Sequence, residues 1–508
     1  MTHTNEDFQR VFKAARRAAT PLVAVRTADP MSAMAQIEAC LPKQAETPVL
    51  AWDILRGLTA RNESGKAAVR DVAGDHPETL GPADLLAALH KAARVGERNS
   101  FADALVFLHN PHRLWEQIDI LQGIWNLRDV FKAGGQTLIL ITPPGSALPL
   151  ELQGDVMIID QPLPAPADLE ALVAETFESA ELEQPTTETV SAAVDALVGL
   201  AAFPAEQVLA MSLSKKGLDV EQLWERKRQA VQQTPGLSVW RGGETFDDIG
   251  GCANIKQFLR AVLAGKEAPR VVVFVDEIEK AFAGTGTDLS GVKTKMTGTM
   301  LTWMQDRGAD GSILIGPPGT AKSMVAKATG STAGIPTVAF DLATMQSSLV
   351  GGSGERLRAA LQVVDAISQG RSLWIATCNA ITSLPPELRR RFTLGTFFFD
   401  LPDAEEREAI WRIYLDKWPV PDSARPCDDG WTGAEIKECV RKAWRLGLSL
   451  KESANYIVPV AKSAADQIES LRRQASGRFL SASRPGPYSA DAKAELVGAG
   501  KRALRELE

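Results

Sequence analysis

Short apolar runs alternate with amphipathic stretches over the first third of the chain: PLVAVRT (21–27), PVLAWDIL (48–55), ALVFLHN (104–110), QTLILIT (136–142) and DVMIID (155–160). A run that is apolar at every position suits a strand buried on both faces, and the helical spacing between runs supplies the covering layers. These residues therefore predict a parallel α/β sheet. From PLPAPADLEALV to Trp240 the spacing changes to threes and fours, in ETVSAAVDALVGL and AEQVLAMSLSKKGL, with breakers at Pro204 and Gly217. That predicts a helical lid with a polar connector at 232–236.

The alternation then restarts. ETFDDIGGCANIKQFLRAVL predicts a polar turn feeding a helix, RVVVFVDEIEKAF a buried strand, and MTGTMLTWMQDR a helix. SILIG, TVAFDLATM, SLWIATCN and TFFFDLPD supply four more strands, and the chain is helical from Ala404 to Leu450. SAADQIESLRRQA predicts one further helix, followed by a Pro/Gly/Ser segment expected to be mobile. The organisation read from the pattern is 1–165 an α/β domain, 166–238 lid and connector, 239–403 a second α/β core, 404–450 its lid, and 451–508 a C-terminal helix and tail. The fold class is α/β, with two parallel-sheet domains each followed by a helical lid.

Composition changes little in this picture. The 508 residues are 45% hydrophobic and 23% charged, with a net charge of -7 that offers no footprint for nucleic acid. Five cysteines without CxxC spacing suggest neither a zinc site nor a disulfide framework. The N-terminus carries acids early and no stretch has the length of a membrane span, so the expected location is cytoplasmic with no membrane partner.

The chemistry concentrates in the second core. GPPGTAKS, entered from a short apolar strand and left through a helix, reads as a phosphate-binding loop: Gly316, Pro317, Pro318, Gly319, Thr320, Ala321, Lys322 and Ser323, with Met324 opening the helix. Lys322 would reach the β/γ-phosphates of ATP and the Ser323 hydroxyl would ligate Mg²⁺. Glycine is usual before the lysine, so Ala321 would cost roughly 1 kcal/mol if the turn takes φ > 0 there. The strand ending in Asp276 and Glu277 delivers two carboxylates, Asp276 for the Mg²⁺ shell and Glu277 to polarise the attacking water. Such a strand is common by itself and becomes specific beside a phosphate loop. Asn379 either holds the lytic water or simply ends a strand. Arg389, Arg390 and Arg391 either cross a subunit boundary to a neighbour's γ-phosphate or form a solvated basic turn. In the first domain no Gly-Lys pair follows the first strand, and the strand at 104–110 ends in His109 and Asn110 where acids would be wanted. That domain reads as a nucleotide-binding architecture without its nucleotide.

DDIGG, GPPGTAKS, VFVDEIEKAF, ATCN and TGAEI together resemble the AAA+ ATPases. More narrowly, DEIEKAF, LTWMQ, LPPEL, FFFDLP, PLVAVRT and LITPPGSALPLEL resemble the chloroplast and cyanobacterial AAA ATPases designated by hypothetical-reading-frame number forty-six, over nearly the whole chain. The resemblance implies an ATP-hydrolysing remodelling protein, a homo-oligomer (a ring such as a hexamer), acting on a protein substrate or regulated partner. It also implies that Ile249 and Gly250 border the adenine, that Ala434 sits in the lid near the nucleotide, and that Leu349, Val350 and Gly351 match a pore loop. An ATP-binding sensor with little hydrolysis and a nucleic-acid motor are the competing readings. The departure is order, because in the family the phosphate loop precedes the acidic strand, whereas here Asp276 and Glu277 come first. The chemistry survives if the strand at 271–275 lies between those at 336–340 and 372–376, with 312–315 beside 372–376.

Overall fold

The computed structural model describes residues 5–42, 45–94, 100–215, 217–282, 292–345, 352–380, 384, 386–420 and 424–490. The chain divides into two units, Met1–Val231 and Gln232–Glu508.

In the first unit β1 (Leu22–Arg26), β2 (Val49–Asp53), β3 (Gly57–Ala60), β4 (Leu105–His109), β5 (Thr137–Thr142) and β6 (Met157–Asp160) form one sheet in the order β3-β2-β4-β5-β1-β6. The unbroken apolar runs have the expected cause. Leu22, Ala24, Leu138 and Leu140 enter one core with Leu89, Ile124 and Phe131, while Val23, Val25, Ile139 and Ile141 enter the other with Phe8, Phe12 and Ile37. Each Leu, Val, Ile or Phe among them contributes roughly 1.5–3 kcal/mol on burial. All pairings are parallel except the β2–β3 hairpin. β3 was not foreseen, because DILRGL reads as a continuing apolar run, whereas Gly57 at φ 64° turns the chain and leaves Ile54 and Leu55 exposed at the tip. The helices Pro166–Ser179, Thr187–Leu197, Ala202–Ser212 and Val220–Gln232 follow, with a minimal hairpin of β7 (Leu213–Ser214) and β8 (Gly217–Leu218).

In the second unit β9 (Leu237–Val239), β10 (Val271–Val275), β11 (Asp310–Ile315), β12 (Thr337–Phe340), β13 (Ser372–Cys378), β14 (Thr396–Phe398) and β15 (Leu480–Ser481) form a sheet in the order β15-β14-β11-β13-β10-β12-β9. β10 lies between β12 and β13, and β11 lies beside β13, as the chemistry required. The helix Val292–Arg307, which joins β10 to β11, is held over the sheet by Trp303, whose ring lies 5.5 Å from Trp374 of β13.

The two sheets of this one chain can be compared strand by strand. β2-β4-β5-β1-β6 in the first corresponds in spatial order to β12-β10-β13-β11-β14 in the second. In the first unit the strand left of centre, β4, follows β1 and β2 in sequence, whereas its counterpart β10 precedes both β11 and β12.

The Pro/Gly/Ser segment expected to be mobile is built into the fold as far as residue 490. β15 pairs parallel with β14, Asn254 Nδ2 donates to Ser481 O at 2.6 Å, and Asp400 accepts Arg472 Nε and the Tyr488 hydroxyl at 2.9 Å each. Such composition reports local turns, not whether a distant sheet edge is free to pair.

Candidate functional site

β10 and β11 flank β13 in parallel, with Val275 and Ile313 both paired to Ala376. The residues that follow β10 and β11 therefore emerge at the same carboxyl end of the sheet, where open parallel sheets bind ligands. Asp276 Oδ1 accepts Ser323 Oγ at 2.9 Å and Thr377 Oγ1 at 2.6 Å. Thr377 Oγ1 in turn accepts the Glu277 N–H at 2.9 Å. Glu277 has φ 46°, a left-handed value that turns its side chain toward Asn379, whose Nδ2 donates to Glu277 Oε1 at 3.1 Å. Lys280 forms an ion pair with the other Glu277 oxygen.

The phosphate loop is held by its own chain. Thr320 Oγ1 donates to Pro317 O at 2.8 Å, and Lys322 Nζ donates to Gly316 O at 2.8 Å and Pro317 O at 2.6 Å. A Cβ on Gly316 would stand 2.1 Å from Phe399 O, so the loop can leave β11 only as glycine. Gly319 has φ 81° and faces the second lid: a Cβ there would meet Thr432 Oγ1 at 2.8 Å and the Ala434 Cβ at 3.1 Å. Ala434 N–H donates to Gly319 O at 3.3 Å, so the N-terminus of the lid helix Gly433–Leu446 rests on the loop. Gly250 packs on Ile410 of the lid helix Ala404–Lys417, which also touches Gly433, and Ile249 is buried in the core. Met324 lines that core half-buried, and Pro318 is exposed.

Ala321 takes φ 67° and ψ 10° as the N-cap of the helix Lys322–Ala333, with no side-chain cap bond. Left-handed alanine costs about 1–2 kcal/mol. Glycine gives back roughly 0.5–1 of that through the freer unfolded chain. Ala321→Gly should therefore stabilise the second unit by up to about 1 kcal/mol. Urea unfolding checks this, and an unchanged or lower midpoint would contradict it.

Burial pushes the Lys322 ammonium down to about 8, opposed first by Glu279 and then by Cys378, Asp276 and Glu277. Burial also pushes the Cys378 thiol up to about 12. Among the described residues no group of three or more His, Cys, Asp or Glu converges as a metal cage. Asp276 and Ser323 instead offer two hard oxygens, a donor set that suits Mg²⁺ completed by water and phosphate.

Residues 8–161 match the family model for the N-terminal domain of SpoVK-like AAA ATPases, and residues 167–234 match that for their second domain. Residues 312–369, which hold the phosphate loop, match the ATPase family associated with various cellular activities. The chain carries domains of the SpoVK-like AAA and AAA families. It is similar to the uncharacterized AAA domain-containing protein ycf46 of Guillardia theta, 23% identical over 92% of this chain and 95% of that one. It is 25% identical to the protein of the same name from Gracilaria tenuistipitata var. liui, over 69% of this chain and 75% of that one. A shorter stretch, 26% of this chain and 16% of the relative, is 29% identical to the ATP-dependent zinc metalloprotease FtsH 1 of Salinibacter ruber (strain M8).

In the first unit the positions that correspond to the site carry other residues. β4 ends in His109, and Asn110 after it has φ 53°, matching Glu277 after Asp276. No carboxylate stands in either position. After β1, Asp29 caps the helix Pro30–Ala39 by accepting Ser32 N–H at 3.1 Å, and it accepts Phe203 N–H at 3.0 Å. A carboxylate thus occupies the helix end that a phosphate would use, and it would repel one.

The arginines separate. Arg391 Nη2 donates to Gln305 Oε1 at 2.6 Å, Arg390 is exposed, and Arg389 is half-buried with an Nε that makes no hydrogen bond. None of the three forms an ion pair among the described residues. Leu349, Val350 and Gly351 lie outside the described residues. Thr377 and Glu279 went unnoticed in the sequence. The one available signal was a hydroxyl and a third acid set in or just after apolar strands, which carries no meaning until the strands are neighbours.

Proposed function

We propose that the chain is a Mg²⁺-dependent ATPase with one site, in the second unit, that uses nucleotide turnover to move its lid against the core and so remodel or regulate a partner protein. The observation that carries this reading is the assembly at Asp276, where Ser323 of the phosphate loop and Thr377 meet on one carboxylate oxygen with the Glu277–Asn379 pair beside it. Bound Mg²⁺ would be held by Ser323 and Asp276 and would neutralise phosphate charge. Glu277 would take up the proton of an attacking water, oriented through Asn379. Lys322 would exchange the Gly316 and Pro317 carbonyls for phosphate oxygens, and the contact of Ala434 with Gly319 would carry the change to the lid.

The matching spatial order of the two sheets supports reading the second core as a rearranged copy of the AAA plan, with the acidic strand and its helix carried ahead of the phosphate-loop strand. Arg389 and Arg390, which form no ion pair among the described residues, favour a homo-oligomer such as a hexamer in which one of them reaches a neighbouring site. Phosphate release from Mg·ATP tests the reading. Turnover should rise faster than linearly with protein concentration, and a purified chain that binds ATP without releasing phosphate would overturn it. That outcome would favour a nucleotide sensor, for which the Lys280–Glu277 ion pair and the strained Ala321 speak.

A further inference from the structure

Glu279 lies beyond the two acids that follow β10, in the first turn of the short helix Ile278–Phe282, and unlike them it is buried, with only 8% of its surface exposed. Its Oε1 accepts the Asn379 main-chain N–H at 2.9 Å, while its Oε2 is buried away from any N–H donor, with the Cys378 thiol and the Lys322 ammonium as the carboxylate's other neighbours. Burying this carboxylate carries a desolvation penalty, which the nearby Lys322 ammonium offsets without fixing where the Asn379 peptide sits. What the carboxylate achieves is geometric. It pins the Asn379 peptide at the end of β13, and from that peptide the Asn379 carboxamide reaches Glu277 Oε1 at 3.1 Å. Among the acids around Lys322, Glu279 also does most to sustain the ammonium against burial.

We infer that Glu279 is a positioning residue for hydrolysis, acting through the Asn379 main chain to hold the carboxamide against Glu277 in the one geometry that serves an attacking water. The inference rests on the ATPase reading above. Glu279 does not face the substrate: the group it orients does, and misplacing such a group by about 1 Å can cost on the order of 100-fold in rate.

The test uses the full chain as wild type, Glu279→Met and Glu279→Gln. It measures steady-state phosphate release, binding of a fluorescent ATP analogue, and the thermal midpoint. Glu279→Met removes the acceptor and the buried charge at nearly constant volume. Its kcat should fall by about 30- to 100-fold below that of Glu279→Gln, which loses the same charge beside Lys322, with affinity within about threefold of that variant and a midpoint no lower than that variant's. Glu279→Gln keeps an oxygen able to accept the Asn379 N–H and should retain kcat within about fivefold. A Glu279→Met protein that turns over like wild type overturns the inference. So does one that fails to fold or melts below Glu279→Gln, since that is the mark of a scaffold residue, and so does a Gln variant as slow as the Met variant. Wild type without turnover would remove the ATPase reading and this inference together, whereas normal wild-type turnover with an indifferent Met variant removes this inference alone.

Discussion

Glu277→Gln should abolish turnover while leaving ATP bound. The carboxylate of Glu277 stands within a hydrogen bond of Asn379 and next to Asp276, yet it makes no contact with the phosphate loop among the described bonds. The amide keeps the shape and can still accept the Asn379 bond, but it cannot take a proton. General-base assistance contributes about 10²–10⁴-fold, so kcat should fall by that factor with the dissociation constant within about threefold. Rapid-quench phosphate release and equilibrium binding, measured on the same preparation, separate the two quantities. A variant that retains more than about a tenth of the wild-type rate would mean that another group activates the water. The trapped form would also hold the ATP state long enough for a partner protein to be recovered with it.

Lys322→Ala should remove ATP binding from the entire chain. Hydrogen bonds to charged groups are worth roughly 1.5–3 kcal/mol each, so losing two lysine–phosphate bonds weakens binding by about 100-fold or more. The first unit offers no substitute, because Asp29 occupies the helix end there and His109 and Asn110 stand where acids would. Saturable high-affinity binding that persists in Lys322→Ala would therefore assign a site to the first unit. The same lysine sets a pH dependence. Its folded-state pKa lies near about 8, below the ordinary lysine value of 10.5, so the ligand-free protein loses this proton as pH rises through about 8. A phosphate favours the ammonium, so ATP affinity should be full below that pH and decline above it, with proton uptake on binding. The stability of the ligand-free fold has the opposite sign. Between about 8 and 10.5 the unfolded chain holds more protons than the folded one at this residue, so its contribution to stability rises with pH. Titrations at pH 7 and pH 9 check the first statement, and urea midpoints over the same range check the second.

Sheet strands and phosphate loop were legible because each is a local pattern. Val271 to Val275, Ile313 to Ile315 and Leu138 to Ile141 are apolar at every position because both faces of their sheets are covered, and glycine at 316 and 319 meets contacts that no Cβ could share. The acids after β10 were legible as chemistry but not as a site, since their distance along the chain from Lys322 says nothing about their distance in space.

The sequence by itself determined the apolar runs, the loop that can wrap an anion, the acids available to it, and the lack of such groups in the first unit. Only the tertiary structure decided that β10 inserts between β12 and β13, because strand neighbours are selected by packing and hydrogen bonding across the sheet and not by chain order. That choice put Thr377 against Asp276 and Glu279 under Asn379, two contacts between residues about a hundred positions apart. It also closed the sheet edges with β9 and β15, whose short segments carry too little pattern to announce a strand and form one only where an unpaired edge offers its N–H and C=O groups.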